Sequence, residues 1–316
     1  MRRRNPERPH LKGIAIAWGF PIIVLAFFVI VSWGYQVVMA NSQASLALQQ
    51  QNLSKTRLAA TPLPAWTQTP ILKKTPITTS TLPNSSVILD IYQKGQVLGS
   101  DLHAFSMVGD CNSLEPYFLT YFDLDPSTYD LGAYAYLQPA IQQFSGSFNR
   151  KSLAVGDGFN TSAVLSPSRA DPNKCNANES PLACEYRIQK PSFAIIAIGT
   201  DDYLSPERLE ANLRQIVEMS IHLWIVPILF NQMDNSNQLD NNAIIAKVAK
   251  AYDLPLVDLM LAAQLLPNQG LTDNIHPSGL TNAFVFSEYN LAHYGWPVRN
   301  LAALQALYTT WRSVSP

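Results

Sequence analysis

Val108-Gly109-Asp110-Cys111-Asn112-Ser113 closes the apolar run Leu102 to Val108, and the architecture follows from it. A strand that stops on Gly-Asp and turns into a helix presents its next side chain at the carboxyl edge of a sheet. The free N–H groups of that helix surround it. Here that side chain is Cys111. Two later segments answer it: Phe193 to Gly199 followed by Thr200-Asp201-Asp202, and Asp273-Asn274-Ile275-His276-Pro277-Ser278. Both place short runs of polar groups in loops, and the first directly follows a strand-like run.

From Val87 onward strands and helices alternate. Leu102 to Val108, Ser152 to Val155, Ser192 to Ile198, Trp224 to Phe230 and Leu256 to Leu259 are short, mostly continuous apolar runs. Such runs suit parallel strands covered on both faces. Ser205-Pro206-Glu207 has the N-cap, first-position proline and early acid of a helix start leading into Arg208 to Met219. Asn241 to Tyr252 carries Ile244, Ile245, Val248 and Ala249 on one helical face. The alternation predicts an α/β three-layer sandwich, flavodoxin-like, around a mostly parallel five-stranded sheet. Sites in such sheets lie beyond the carboxyl ends of the strands, where Cys111 and Asp201 both fall.

In order and content the three segments resemble the SGNH/GDSL hydrolase superfamily, with its Gly-Asp-Ser, Gly-x-Asn-Asp and Asp-x-x-His blocks. The resemblance covers roughly residues 87 to 316 and implies an SGNH-hydrolase-like domain that cleaves ester bonds. It implies Cys111 as nucleophile, His276 as base and Asp273 as the acid orienting that base. For the oxyanion it implies the second-block glycine, taken as Gly158 in Val155-Gly156-Asp157-Gly158-Phe159-Asn160, and the third-block position, here Asp201. Two signature positions depart from the pattern: Cys111 stands for Ser and Asp201 for Asn. A cysteine at a helix N-terminus beside an imidazole has a lowered pKa and attacks as thiolate. An ionised Asp201 repels a developing oxyanion, whereas Asp110 or Asp202 beside it favours the protonated form, because like charges raise carboxyl pKa values.

Ahead of this domain, Gly13 to Met39 contains no charge and exceeds the roughly 20 residues that cross a bilayer as a helix. Arg2, Arg3, Arg4, Arg8 and Lys12 against Glu7 keep the preceding end in the cytoplasm, so the remainder faces outward. A weak cleavage site in Val38 to Ala44 leaves a signal peptide as the alternative. Residues 40 to 85, rich in Ser, Thr, Gln and Pro, read as a stalk. The organisation expected is a basic tail at 1 to 12, a transmembrane helix at 13 to 39, that stalk, and a domain at 86 to 316. Net charge is −1 over the chain, but the tail and the acid-free stalk are both basic, which leaves the domain about −9. An acidic domain is a poor partner for nucleic acid.

An outward-facing domain permits disulfides, and Cys175 and Cys184 flank a short Pro, Asn and Ala-rich loop, so they are paired with each other and Cys111 is left free. No His stands at ligand spacing from them, and neither metal nor cofactor is called for. His103, His222 and His293 read as packing or surface histidines. Phe286 to Trp311 is aromatic-rich, as a core-closing helix or an acyl or sugar pocket would be. Two functions follow: a membrane-anchored, extracytoplasmic hydrolase acting on acyl esters of lipid or envelope glycan, or a catalytically degenerate domain of the same type that binds an envelope glycan or protein. A redox or thioester-transfer role for Cys111 is a third.

Overall fold

The computed structural model describes residues 85–233 and 239–315. The tail at 1 to 12, the transmembrane segment at 13 to 39 and the stalk up to its last residue lie outside them. Among the described residues no helix is long and apolar enough to cross a membrane.

Four parallel strands, β1 (Asp101–Gly109), β2 (Pro191–Ala197), β3 (Val226–Phe230) and β4 (Leu256–Val257), form one sheet in the order β1-β2-β3-β4. Register pairs Val108 with Ile196, Ile195 with Ile228 and Leu229 with Leu256. Every residue of β2 is buried, which is why Phe193, Ile195 and Ile196 show no polar alternation.

The expected fifth strand, Ser152 to Val155, is not formed. Val155 makes a single parallel bridge to Gly109. The neighbouring backbone is taken by side chains: Leu153 N–H donates to Glu185 (2.9 Å), and Ala154 N–H donates to Ser152 Oγ (3.1 Å). Ser152 Oγ itself donates to the Met107 carbonyl (2.6 Å), a place a strand would fill with an N–H. An apolar run signals burial, but a ladder needs its N–H groups free.

The longer helices are α1 (Ser85–Val97), α2 (Pro181–Gln189), α3 (Pro206–His222), α4 (Leu239–Ala251) and α5 (Gly295–Val314). α3 starts as its sequence dictates, with Ser205 Oγ accepting from Arg208 N–H (3.4 Å) and Pro206 at the first position. α3 packs on α4, and α2 packs on β1. α1 packs on α5 and against β2 and β3. From Gly295 to Leu307 α5 is buried on all sides, so Trp296 closes the core rather than lining a pocket.

Candidate active site

Gly109 ends β1 because nothing larger fits. A Cβ there would lie 2.2 Å from Ser113 Oγ and 2.9 Å from the Ala197 carbonyl. Beyond it the chain does not enter the expected helix. Cys111–Ser113 is one 3-10 turn, since Pro116 has no N–H for a helix begun at Cys111 and its ring would clash within it. The turn is held from below. Asp110, fully buried, accepts the N–H of Asn112 (3.1 Å) and that of Thr200 (3.0 Å), joining the ends of β1 and β2. Ser113 Oγ donates to the Ala197 carbonyl (3.2 Å) and so points into the sheet.

Arg299, on α5 and fully buried, lies under the same turn. Its Nε donates to the Asn112 carbonyl (3.2 Å) and its guanidinium covers the Phe118 ring at 4.8 Å. Burial lowers its pKa to about 10, against the pull of Asp110 and Cys111, so it stays charged at neutral pH. Burial raises the Asp110 carboxyl, against the Arg299 charge and the two N–H donors. Across the turn each of the two groups favours the charged form of the other. Sequence reading missed Arg299, although a lone arginine inside the apolar run of Trp296 to Leu304 is a signal that could have found it.

Cys111 is a free, half-buried thiol. Burial, then the charges of Asp110, Asp201 and Asp157, push its pKa up to about 12, with Arg299 opposing. The expected lowering is overturned: there is no helix N-terminus beneath the sulfur, and the surrounding charges are mostly acids. Asp201 is itself raised, by burial and then by Asp110 and Asp157, with His276 acting the other way. Asp202 turns aside. Almost fully buried, it accepts from Thr161 N–H (3.0 Å) and Thr161 Oγ (2.7 Å), holding the start of the short helix Thr161–Leu165. Gly158 is exposed, at φ +63°, where glycine is favoured. Its neighbour Asp157, which sequence reading did not single out, is the member of that loop whose charge reaches Cys111 and Asp201.

Asp273 and His276 form their own unit. Asp273 Oδ2 pairs with His276 Nδ1 (2.9 Å), and Oδ1 accepts the N–H groups of Ile275 and His276 (2.7 Å each). These bonds, the His276 side chain first, hold the Asp273 carboxyl down at about 2. The pairing leaves Nε2 as the imidazole atom available to a reacting group.

Cys175 and Cys184 are disulfide-bonded. With Glu179 they are the one group of metal-ligand types found close together among the described residues, and the S–S bond takes both sulfurs. A cavity of about 230 Å³ is lined by Pro116, Tyr117, Tyr121, Leu280, Phe284 and Val285, with Thr128 and Thr281. Its walls follow the Cys111 turn and the His276 loop in sequence, and the Tyr121 and Phe284 rings stack at 4.3 Å.

No family model matches the chain, and no curated protein does. The chain is similar to a lipase and an esterase of known structure. The GDSL-like lipase from Bacteroides thetaiotaomicron aligns at 13% identity over 72% of this chain and 99% of its own, with TM-score 0.39. The psychrotrophic esterase EstA from Pseudoalteromonas aligns at 12% identity over 66% of this chain and 97% of its own, again with TM-score 0.39. TesA aligns at 17% identity over 67% and 98%, with TM-score 0.36. These values leave the chemistry to be read from this chain's own residues.

Proposed function

We propose that this protein is an SGNH-like ester hydrolase with a Cys-His-Asp site, acting outside the cytoplasm on acyl groups of lipid or cell-envelope glycan. The observation that supports it is the Asp273–His276 pair at 2.9 Å together with the Asn112 amide, which lies next to Cys111 and donates to the Ile275 carbonyl beside His276 (3.0 Å) and to Thr200 Oγ1 beside Asp201 (3.4 Å). In this reading His276 Nε2 takes the Cys111 proton as Sγ attacks the ester carbonyl, and Asp273 stabilises the imidazolium. His276 then protonates the departing alkoxide as the tetrahedral intermediate collapses to a thioester on Cys111. Water, deprotonated by His276, releases the acid and restores the thiol. A thiol with a pKa of about 12 holds little thiolate at rest, so proton removal accompanies attack rather than preceding it. Protonated Asp201 donates to the oxyanion; ionised, it repels it.

The charges around Cys111 favour a second reading, a degenerate site that binds a glycan or protein. Hydrolysis of p-nitrophenyl acetate by the purified full chain in detergent separates the two. The hydrolase reading expects turnover that His276→Ala abolishes and Cys111→Ser lowers. If wild type and the folded Cys111→Ser, Asp201→Asn double variant are both inert, the binding reading replaces it. The outward orientation rests on the basic residues before Gly13 and the uncharged run after it. Protease added to intact cells is expected to release a fragment beginning within residues 40 to 85. A domain protected until the membrane is broken overturns that topology.

A further inference from the structure

Asn112 follows Cys111 and is 3% exposed. Its Nδ2 donates to the Ile275 carbonyl at 3.0 Å, across 163 residues of sequence, and to Thr200 Oγ1 at 3.4 Å. Ile275 precedes His276, and Thr200 precedes Asp201. Its backbone is held as well, N–H to Asp110 and carbonyl from Arg299. One amide next to the thiol therefore touches the neighbours of the other two groups of the site.

We propose that Asn112 is a positioning residue, clamping the 270–278 loop to the strand ends and so setting where His276 stands relative to Cys111. The proposal rests on reading His276 as the base. The loop's other bonds are internal or at its far end. Ile275 and His276 N–H donate to Asp273, Thr272 N–H to His276 O (2.8 Å) and Ser278 N–H to Gly270 O (2.7 Å). At that far end Ser278 accepts from Gly295 and Trp296 N–H of α5, and Gly270 and Pro277 pack against Gly295. The Asp273 and His276 side chains are 55% and 53% exposed, so packing does little to hold them. The tip is tied to the sheet through Asn112.

The amide is oriented by its donors. Both acceptors it faces are oxygens, and turning it over would set Oδ1 against the Ile275 carbonyl. Oδ1 has no partner where it is. A buried carbonyl oxygen left unpaired is unfavourable, and an apolar side chain would avoid it. The two bonds made by Nδ2 are what an apolar residue at this position would lack.

The test is hydrogen exchange by mass spectrometry on the full chain in detergent, comparing wild type with Asn112→Leu, which is of similar size and has no donor, and with Asn112→Val. Exchange in peptides covering 270–278 is expected to rise about 10-fold or more in both variants, with the strands unchanged. In the same samples kcat on p-nitrophenyl acetate is expected to fall roughly 10- to 100-fold with KM nearly constant, as for a misplaced catalytic group. Thr200→Val removes the longer bond and keeps the shorter, so its loop should exchange like wild type. If either Asn112 variant fails to fold, Asn112→Ala, which only truncates, reads the same exchange. Unchanged exchange in folded Asn112 variants overturns the clamp. A wild type without activity but with exchange that responds overturns the hydrolase reading and leaves the clamp standing.

Discussion

The Cys111 turn and the Asp273–His276 loop are linked by the Asn112 amide but are held by different physics. Around Cys111 the groups are buried: Asp110 and Arg299 are almost without exposure, and burial is the first cause of every shift there. In the loop the groups are half open and hydrogen bonding dominates. Two aspartates show the contrast. Asp110 accepts two N–H groups and is still raised, because it is desolvated; Asp273 accepts two N–H groups and an imidazole in water, and falls to about 2. Two backbone N–H bonds do not offset full desolvation at Asp110, whereas at the solvent-open Asp273 they add to the bond from His276. The turn thus holds a thiol that resists ionisation, and the loop an imidazole with an ionised partner.

Four measurements test that contrast. His276→Ala should lower kcat/KM on p-nitrophenyl acetate by about 10³-fold or more while shifting Tm by no more than ~1 °C, because its ring is open to solvent. A large fall in Tm would show the loop to be part of the buried half.

Arg299→Met should do the reverse and act on stability. It leaves Asp110 buried without its countercharge, at a cost of about 3 kcal/mol, or roughly a 100-fold change in the folding equilibrium. Thermal denaturation should show Tm lower by ~6–12 °C, and an unchanged Tm would mean that the two charges do not depend on one another.

Asp201→Asn replaces a repelling group with a donor and should raise hydrolysis about 100-fold. Because the Asp201 pKa is raised, the gain should be largest above that pKa and shrink as pH falls through it and the wild-type carboxyl becomes protonated. A gain independent of pH would place Asp201 away from the oxyanion.

The smallest effect belongs to Asp273. A carboxyl with a lowered folded pKa contributes stability that is present above its ordinary value of 3.8 and lost as pH falls through about 2. Asp273→Ala should therefore cost no more than ~2 °C in Tm at pH 6, the group being open and screened, with the cost shrinking as pH falls through about 2 and gone only well below it. A difference that does not shrink between pH 6 and pH 2 would assign the effect to loop packing instead of charge.

The loop half was legible in the sequence because its bonds span three residues: Asp-x-x-His is a local pattern, as is the Ser205-Pro206 helix start. The β1, β2 and β3 runs were legible from continuous apolarity, and the Cys175–Cys184 bridge from spacing. The false strand at Ser152 to Val155 shows the limit of that reading: composition reports burial, while Ser152 and Glu185 decide whether backbone N–H groups reach a neighbour.

The chain by itself determined an α/β sheet with a Gly-Asp-Cys turn at one strand end and an Asp-x-x-His loop, since apolar runs, caps and short hydrogen-bonded loops depend on residues close in sequence. That Arg299 lies beneath the turn, that Asn112 reaches Ile275 and that Cys111 is held as a thiol emerges on folding. Those outcomes depend on desolvation and on contacts across more than 160 residues, neither of which any local stretch encodes.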